Sequence, residues 1–157
     1  IAKYVPGAQL TLSDLSTDAL SLAAENARAL QIEADLRQGD LFETVRGETF
    51  DLIACNPPYL TGQDMTELQT EVRREPALAL FGGEDGLAFY RFIAAAYAPK
   101  LREGGGVCFE IGYSQADSVM NILRKNGYIH LGRQKDYGGN DRVIMGIRAP
   151  RMGALDE

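Results

Sequence analysis

Basic charge, histidine, cysteine and long apolar runs are all scarce in this chain. Its 16 lysines and arginines are outnumbered by 22 aspartates and glutamates, leaving a net charge of −6. That balance argues against a protein that gains affinity by neutralising duplex nucleic-acid phosphates and favours a small-molecule or protein substrate. The single histidine, His130, alternates with apolar residues and has no cluster of ligands beside it, so it reads as structural and no metal is expected. The two cysteines, Cys55 and Cys108, lie inside apolar strand-like runs, the pattern of reduced, buried thiols in the cytoplasm rather than of a disulfide. No apolar stretch approaches the length of a membrane span and no signal-peptide pattern opens the chain. Gly104-Gly105-Gly106 reads as a turn, because no Gly-Lys-Ser/Thr follows to make it a phosphate loop.

What is present is the composition of an ordinary globular domain: 157 residues, 45% hydrophobic and 24% charged. Strand character over 8–13 precedes an amphipathic helix from Thr17 to Leu30, with Ser16 or Thr17 as N-cap and Leu20, Ala23, Ala27 and Leu30 on one face. Short apolar runs at 32–38 and 50–55 supply two more strands, a βαβ rhythm that predicts a parallel sheet. Residues 60–81 read as a long polar loop, which in a compact domain is more often functional than filler. A helical stripe through Leu87, Tyr90, Ile93, Ala94 and Tyr97 comes next, then a strand at 107–111, a helix from Ser114 to the Asn126-Gly127 stop, and an antiparallel hairpin of 128–135 with 143–148. Ile1 to Gly7 resembles a helix end stopped by Pro-Gly, as if the chain begins in mid-architecture. Residues 1–148 are expected to be a catalytic domain in part, and 149–157 a flexible tail.

The chemistry concentrates at Asn56-Pro57-Pro58-Tyr59, directly after the best buried strand candidate. Two prolines can neither extend a helix nor donate to a ladder, so the chain leaves its strand in a stiff, extended loop. Asn56 thus falls at a strand's carboxyl end, where open α/β sheets bind ligands. Its amide offers one acceptor and two donors. With the carbonyls around the Pro-Pro unit it can fix a planar –NH2 group while the Tyr59 ring lies against it. Such a nitrogen is a poor nucleophile until its lone pair is held free and aimed, so catalysis on it needs mostly positioning. The plainer alternative is a structural Pro-Pro turn.

Asp14 and Asp40 follow the first two strands and share a sheet edge with Asn56 if those strands are parallel. A carboxylate there commonly accepts from ribose hydroxyls, and an Asp after the next strand can take an adenine amino group, with Leu41 and Phe42 against the ring. The alternatives are a helix-start charge for Asp14 and a turn residue for Asp40.

In series, Ser13-Asp14-Leu15-Ser16, Gln38-Gly39-Asp40-Leu41-Phe42 and Asn56-Pro57-Pro58-Tyr59 resemble successive motifs of class I S-adenosylmethionine-dependent methyltransferases. Glu75-Pro76, Gly83-Glu84-Asp85-Gly86-Leu87, Phe109-Glu110-Ile111-Gly112 and Asp136-Tyr137-Gly138-Gly139-Asn140-Asp141-Arg142 narrow the resemblance to the release-factor glutamine N5-methyltransferases, the PrmC/HemK family. It implies an α/β, Rossmann-like class I sheet, mostly parallel with a C-terminal antiparallel hairpin. It also implies that the family's first strand and Gly-rich loop lie before Ile1. S-adenosylmethionine would be held by Asp14 at its ribose, by Asp40 and Leu41 at its adenine, and bordered by Asn56. The catalytic residues would be Asn56, Pro57 and Tyr59, and the substrate glutamine, from the Gly-Gly-Gln motif of a peptide chain release factor, would be held by Asn56, Pro57, Pro58 and Tyr59. The alternatives are methylation of a ribosomal-protein glutamine or of nucleic-acid adenine, and a remnant without catalysis.

Overall fold

A computed structural model describes residues 1–70 and 72–150, with the side chain of Phe42 set aside. The chain divides into two compact units, Ile1–Glu48 and the remainder from Thr49.

The first unit holds a parallel pair, β1 (Leu10–Asp14) and β2 (Ala34–Gln38), with Leu12 opposite Leu36 and Asp14 opposite Gln38. Helix α1 (Thr17–Ala29) joins them and lies against both strands. It starts where Ser16 turns the chain: the hydroxyl accepts from the Ala19 amide at 3.2 Å, and Asp18 sits in the first turn against the positive end of the dipole. Leu20, Ala23 and Ala27 are half-buried on its inner face, whereas Leu30, expected to share that face, is the C-cap and is 54% exposed. Arg37 ties β2 to the chain beyond it by pairing with Asp35 and Glu48 and donating to the Thr44 carbonyl at 2.8 Å. The first seven residues form hydrogen-bonded turns, with the Tyr4 amide on the Ile1 carbonyl at 2.8 Å, rather than the expected helix end.

The second unit is built on a four-stranded sheet ordered β3-β4-β6-β5. Strand β3 (Phe50–Cys55) runs parallel to β4 (Leu101–Glu110), while β6 (Asp141–Arg148) is antiparallel to both β4 and β5 (Tyr128–Lys135). Across the two units the described strands make two parallel and two antiparallel pairings. Strand β4 begins at Leu101, earlier than the expected 107: Phe50 pairs with Leu101 and Leu52 with Gly106, so Gly104 and Gly105 lie in a bulge within a strand and Gly106 in its ladder, not in a turn before it.

Helices α4 (Ala88–Tyr97) and α5 (Ala116–Lys125) close the core. The core is made of Tyr90, Ile93 and Ala94 of α4, Val107 and Phe109 of β4, Val119 and Leu123 of α5, and Ile144 of β6, all at most 1% exposed. Each large apolar side chain buried this way contributes about 1.5–3 kcal/mol. Tyr90 and Phe109 pack edge to face, ring centres 5.6 Å apart, and the Tyr90 hydroxyl donates to the Glu110 carbonyl at 2.8 Å.

The segment expected as a polar loop contains α2 (Gly62–Thr66), a 3-10 turn at Val72–Arg74 and α3 (Ala77–Leu80). A capping box at Thr61 and Asp64 starts α2, with reciprocal hydrogen bonds of 3.1 and 2.9 Å. The Leu60 amide donates to Leu80 and the Gly82 amide to Leu60, so the segment returns beside the residue from which it set out, in an isolated bridge of Leu60 with Phe81. No described helix is long and apolar enough to cross a membrane. Of the expected tail, residues 151–157 lie outside the described residues.

Candidate active site

Strand β3 ends at Cys55, opposite Phe109 of β4, and because the two run parallel the residues after each emerge at the same sheet end. Asn56 is exposed there, Pro57 is buried, and Pro58 and Tyr59 are half-buried. Fixing φ at two successive prolines lets the buried Pro57 anchor the turn while Asn56 stays outside. No side-chain hydrogen bond engages the Asn56 amide among the described residues. The Tyr59 ring lies over Gly112, where a Cβ would stand 3.4 Å from its Cδ2.

Asn56, Pro57 and Tyr59 line a groove of about 510 Å3, within the range of ligand sites. Leu60, Leu68, Val72 and Leu80 form its apolar lining, and Asp64, Glu67 and Glu75 bring three carboxylates to it with no cation among the described residues. The segment between 60 and 81, read from the sequence as functional rather than filler, is thus the wall of the groove. The lining residues after Tyr59 escape a reading of the sequence, though the Thr61-to-Asp64 capping spacing was there to find.

Burial pushes the Cys55 thiol up to about 11, and it raises that of Cys108 as well. A thiol so held is protonated near neutrality, so Cys55 is no nucleophile although it adjoins Asn56. Burial, with Tyr59 and Cys55 nearby, likewise raises the Tyr90 phenol well above its ordinary range. Glu110 contributes its backbone carbonyl to Tyr90, and its neighbour Ile111 exchanges hydrogen bonds with Arg142, amide to carbonyl at 3.0 Å and guanidinium to carbonyl at 3.2 Å. Arg142 also reaches Asp136 at 3.4 Å, tying the hairpin. Asp85 accepts from the Leu87 amide at 3.1 Å, in the turn before α4, and pairs with Arg91, which holds its carboxyl below the usual range; no side chain caps α4 itself. His130 is exposed at a bulge in β5, and the described residues contain no cluster of metal-ligating side chains.

Asp14, Asp40 and Leu41 belong to the first unit, at the carboxyl end of its parallel pair. Asp14 Oδ1 accepts from the Ser16 amide at 2.8 Å, which leaves Oδ2 for another donor, and the Gly39 amide donates to the Asp14 carbonyl at 3.1 Å, drawing the two strand ends together. Asp40 precedes a 3-10 turn (Leu41–Val45) without capping it, so its exposed carboxylate is open, and Leu41 is half-buried with φ +41°. Two carboxylates with open acceptor oxygens beside an apolar side chain suit an adenosine, whose ribose and amino groups donate and whose ring is apolar. Asn56, Pro57 and Tyr59 are brought together around the groove in the second unit, whereas Pro58, expected to join them, does not line it.

The strand order, the parallel β3–β4 pair and the C-terminal antiparallel hairpin define a class I, Rossmann-like methyltransferase fold. A methyltransferase from Pyrococcus furiosus matches it with a TM-score of 0.65 over 90% of this chain and 64% of its own, at 17% identity. Residues 1–83 match the model of the methyltransferase small domain, and the chain belongs to that family. It is 39% identical over 153 residues to a release factor glutamine methyltransferase of Clostridium acetobutylicum, covering 94% of this chain and 54% of the relative. A solved protein-(glutamine-N5) methyltransferase (release factor-specific) from Alicyclobacillus acidocaldarius matches with a TM-score of 0.53 at 26% identity, covering 94% and 85%. The chain spans about half the length of the curated relatives it matches.

Proposed function

We propose that residues 1–148 are part of the catalytic domain of an enzyme that methylates the side-chain amide nitrogen of the glutamine in the Gly-Gly-Gln motif of a peptide chain release factor. The observation that carries this reading is an exposed Asn56 amide, without a side-chain hydrogen bond among the described residues, at a strand end, stiffened by two prolines and opening on a groove of about 510 Å3. The names of the relatives support the choice of substrate. A cytoplasmic setting goes with the two unpaired thiols.

In this reading the Asn56 carbonyl accepts one N–H of the glutamine amide and a backbone carbonyl at the Pro57–Pro58 turn accepts the other. Tyr59 packs on the amide plane and the apolar lining excludes water. With both N–H bonds held, the nitrogen lone pair points out of the amide plane toward the electrophile, and the amide proton lost on alkylation leaves through the open mouth of the groove. Holding geometry in this way is worth several orders of magnitude in rate. S-adenosylmethionine, when bound, supplies the electrophilic methyl carbon. Asp14 would accept from its ribose, Asp40 and Leu41 would meet its adenine, and Asn56 would border it.

The test is mass spectrometry of a release factor incubated with the full-length protein and S-adenosylmethionine. One added methyl on the Gly-Gly-Gln glutamine is expected. An unmodified glutamine after many equivalents of enzyme rejects the reading, and a methyl found instead on a ribosomal protein redirects it.

A further inference from the structure

We propose that Gln115 is a positioning residue that holds the Asn56–Tyr59 loop in register with the groove; the proposal rests on the reading of that loop as the amide-binding element. Pro57 and Pro58 have no N–H, so the loop cannot be tethered through donors at those positions. Beside the packing of the buried Pro57, polar anchoring at the prolines falls to carbonyls. Among the described residues one side-chain hydrogen bond reaches residues 56–59: Gln115 Nε2 donates to the Tyr59 carbonyl at 3.0 Å. The same nitrogen donates to the Gly86 carbonyl at 3.3 Å, and Gln115 Oε1 accepts from the Gly112 amide at 3.0 Å.

One side chain therefore joins the loop after β3, the turn before α4 and the segment after β4. The amide has one acceptor and two donors, and two of its partners are carbonyls that can only accept, so no acid can replace it. Gln115 sits at the N-cap of α5 and makes no side-chain cap bond to its own helix, the usual duty of a polar residue there. Backbone packing completes the clamp. A Cβ at Gly82 would lie 2.7 Å from both the Pro58 carbonyl oxygen and Tyr59 Cα, and one at Gly86 would overlap the Tyr59 carbonyl. Gln115 does not line the groove, so it acts through the loop.

The test compares Gln115→Glu and Gln115→Ala in the full-length protein. Gln115→Glu keeps length and the acceptor toward Gly112 but loses both donors and sets a carboxylate against two carbonyls, so it serves even if Gln115→Ala folds poorly. With two hydrogen bonds lost, kcat for methyl transfer is expected to fall about 10- to 100-fold, with the KM for S-adenosylmethionine changed less than about threefold. In an Asn56→Ala background the added loss should shrink below about threefold, because both changes act on one element. Amide exchange at Leu60 and Gly82, whose N–H groups are bonded to Leu80 and Leu60, should quicken about tenfold. Full turnover by Gln115→Glu, additive losses with Asn56→Ala, or unchanged exchange each overturns the proposal. Absence of methyl transfer by the wild type would fell the function reading alone, leaving the exchange rates to decide the tether.

Discussion

Replacing Gly86 by alanine tests how tightly the Asn56 loop is seated. Gly86 has φ +69°, so any side chain pays for a left-handed backbone, about 1–2 kcal/mol. Its new Cβ would overlap the Tyr59 carbonyl oxygen and stand 2.6 Å from Gln115 Nε2, contacts made by backbone and by a doubly bonded amide that have little room to yield. Overpacking of this kind costs about 1–3 kcal/mol, and displacing the Gln115-to-Tyr59 hydrogen bond adds about 1 kcal/mol. Gly139, φ +83°, has nothing within 4 Å of a built Cβ, so Gly139→Ala carries the backbone cost alone. Urea unfolding of the full-length protein should then show a loss of about 3–6 kcal/mol for Gly86→Ala against about 1–2 kcal/mol for Gly139→Ala. Equal losses would refute the close seating of the loop on this turn.

Asn56→Ala should cut methyl transfer about 10²- to 10³-fold while shifting the urea midpoint little, since the side chain is exposed and unengaged; retained turnover in a steady-state assay removes Asn56 from the chemistry. Asp14→Ala removes an acceptor of the Ser16 amide, so stability should drop about 1 kcal/mol and calorimetry should show S-adenosylhomocysteine bound at least tenfold more weakly; unchanged affinity rejects the ribose role. Stability should also erode in alkali. The Cys55 thiol rises from 9.0 to about 11 and the Tyr128 phenol from 10.0 to about 12. Their neutral forms are favoured by the fold, so this contribution is whole below about pH 9 and is lost as pH climbs through 9 to 12. Urea midpoints across that range should fall, and Tyr128→Phe should flatten the upper part of the decline.

Where one period dominates, sequence and structure agree. Strand β3 spans Phe50–Cys55 as its apolar run requires, and α5 stops at Asn126 with Gly127 at φ +81°. The strand and helix rhythm pointed to a parallel α/β sheet, and the class I fold came from the family resemblance carried by the acidic and Asn-Pro-Pro-Tyr motifs. Elements shorter than two turns stayed hidden: α2 and α3 have five and four residues, too few to show a 3.6-residue repeat. The groove wall was missed with them. Gly104 to Gly106 were misread because glycine marks bulges as well as turns, and only the pairing of Leu101 with Phe50 and of Gly106 with Leu52 distinguishes the two. Gln115 carries no local signal, since its partners Tyr59 and Gly86 are 56 and 29 residues away.

The protonated state of Cys55 has a practical use. Because alkylating reagents attack thiolates, a sulfur kept neutral by burial one residue before Asn56 stays unlabelled while β3 is docked and becomes reactive when that strand loosens. The rate of carboxymethylation at this position is a native reporter of how often the strand end opens, readable without adding a probe.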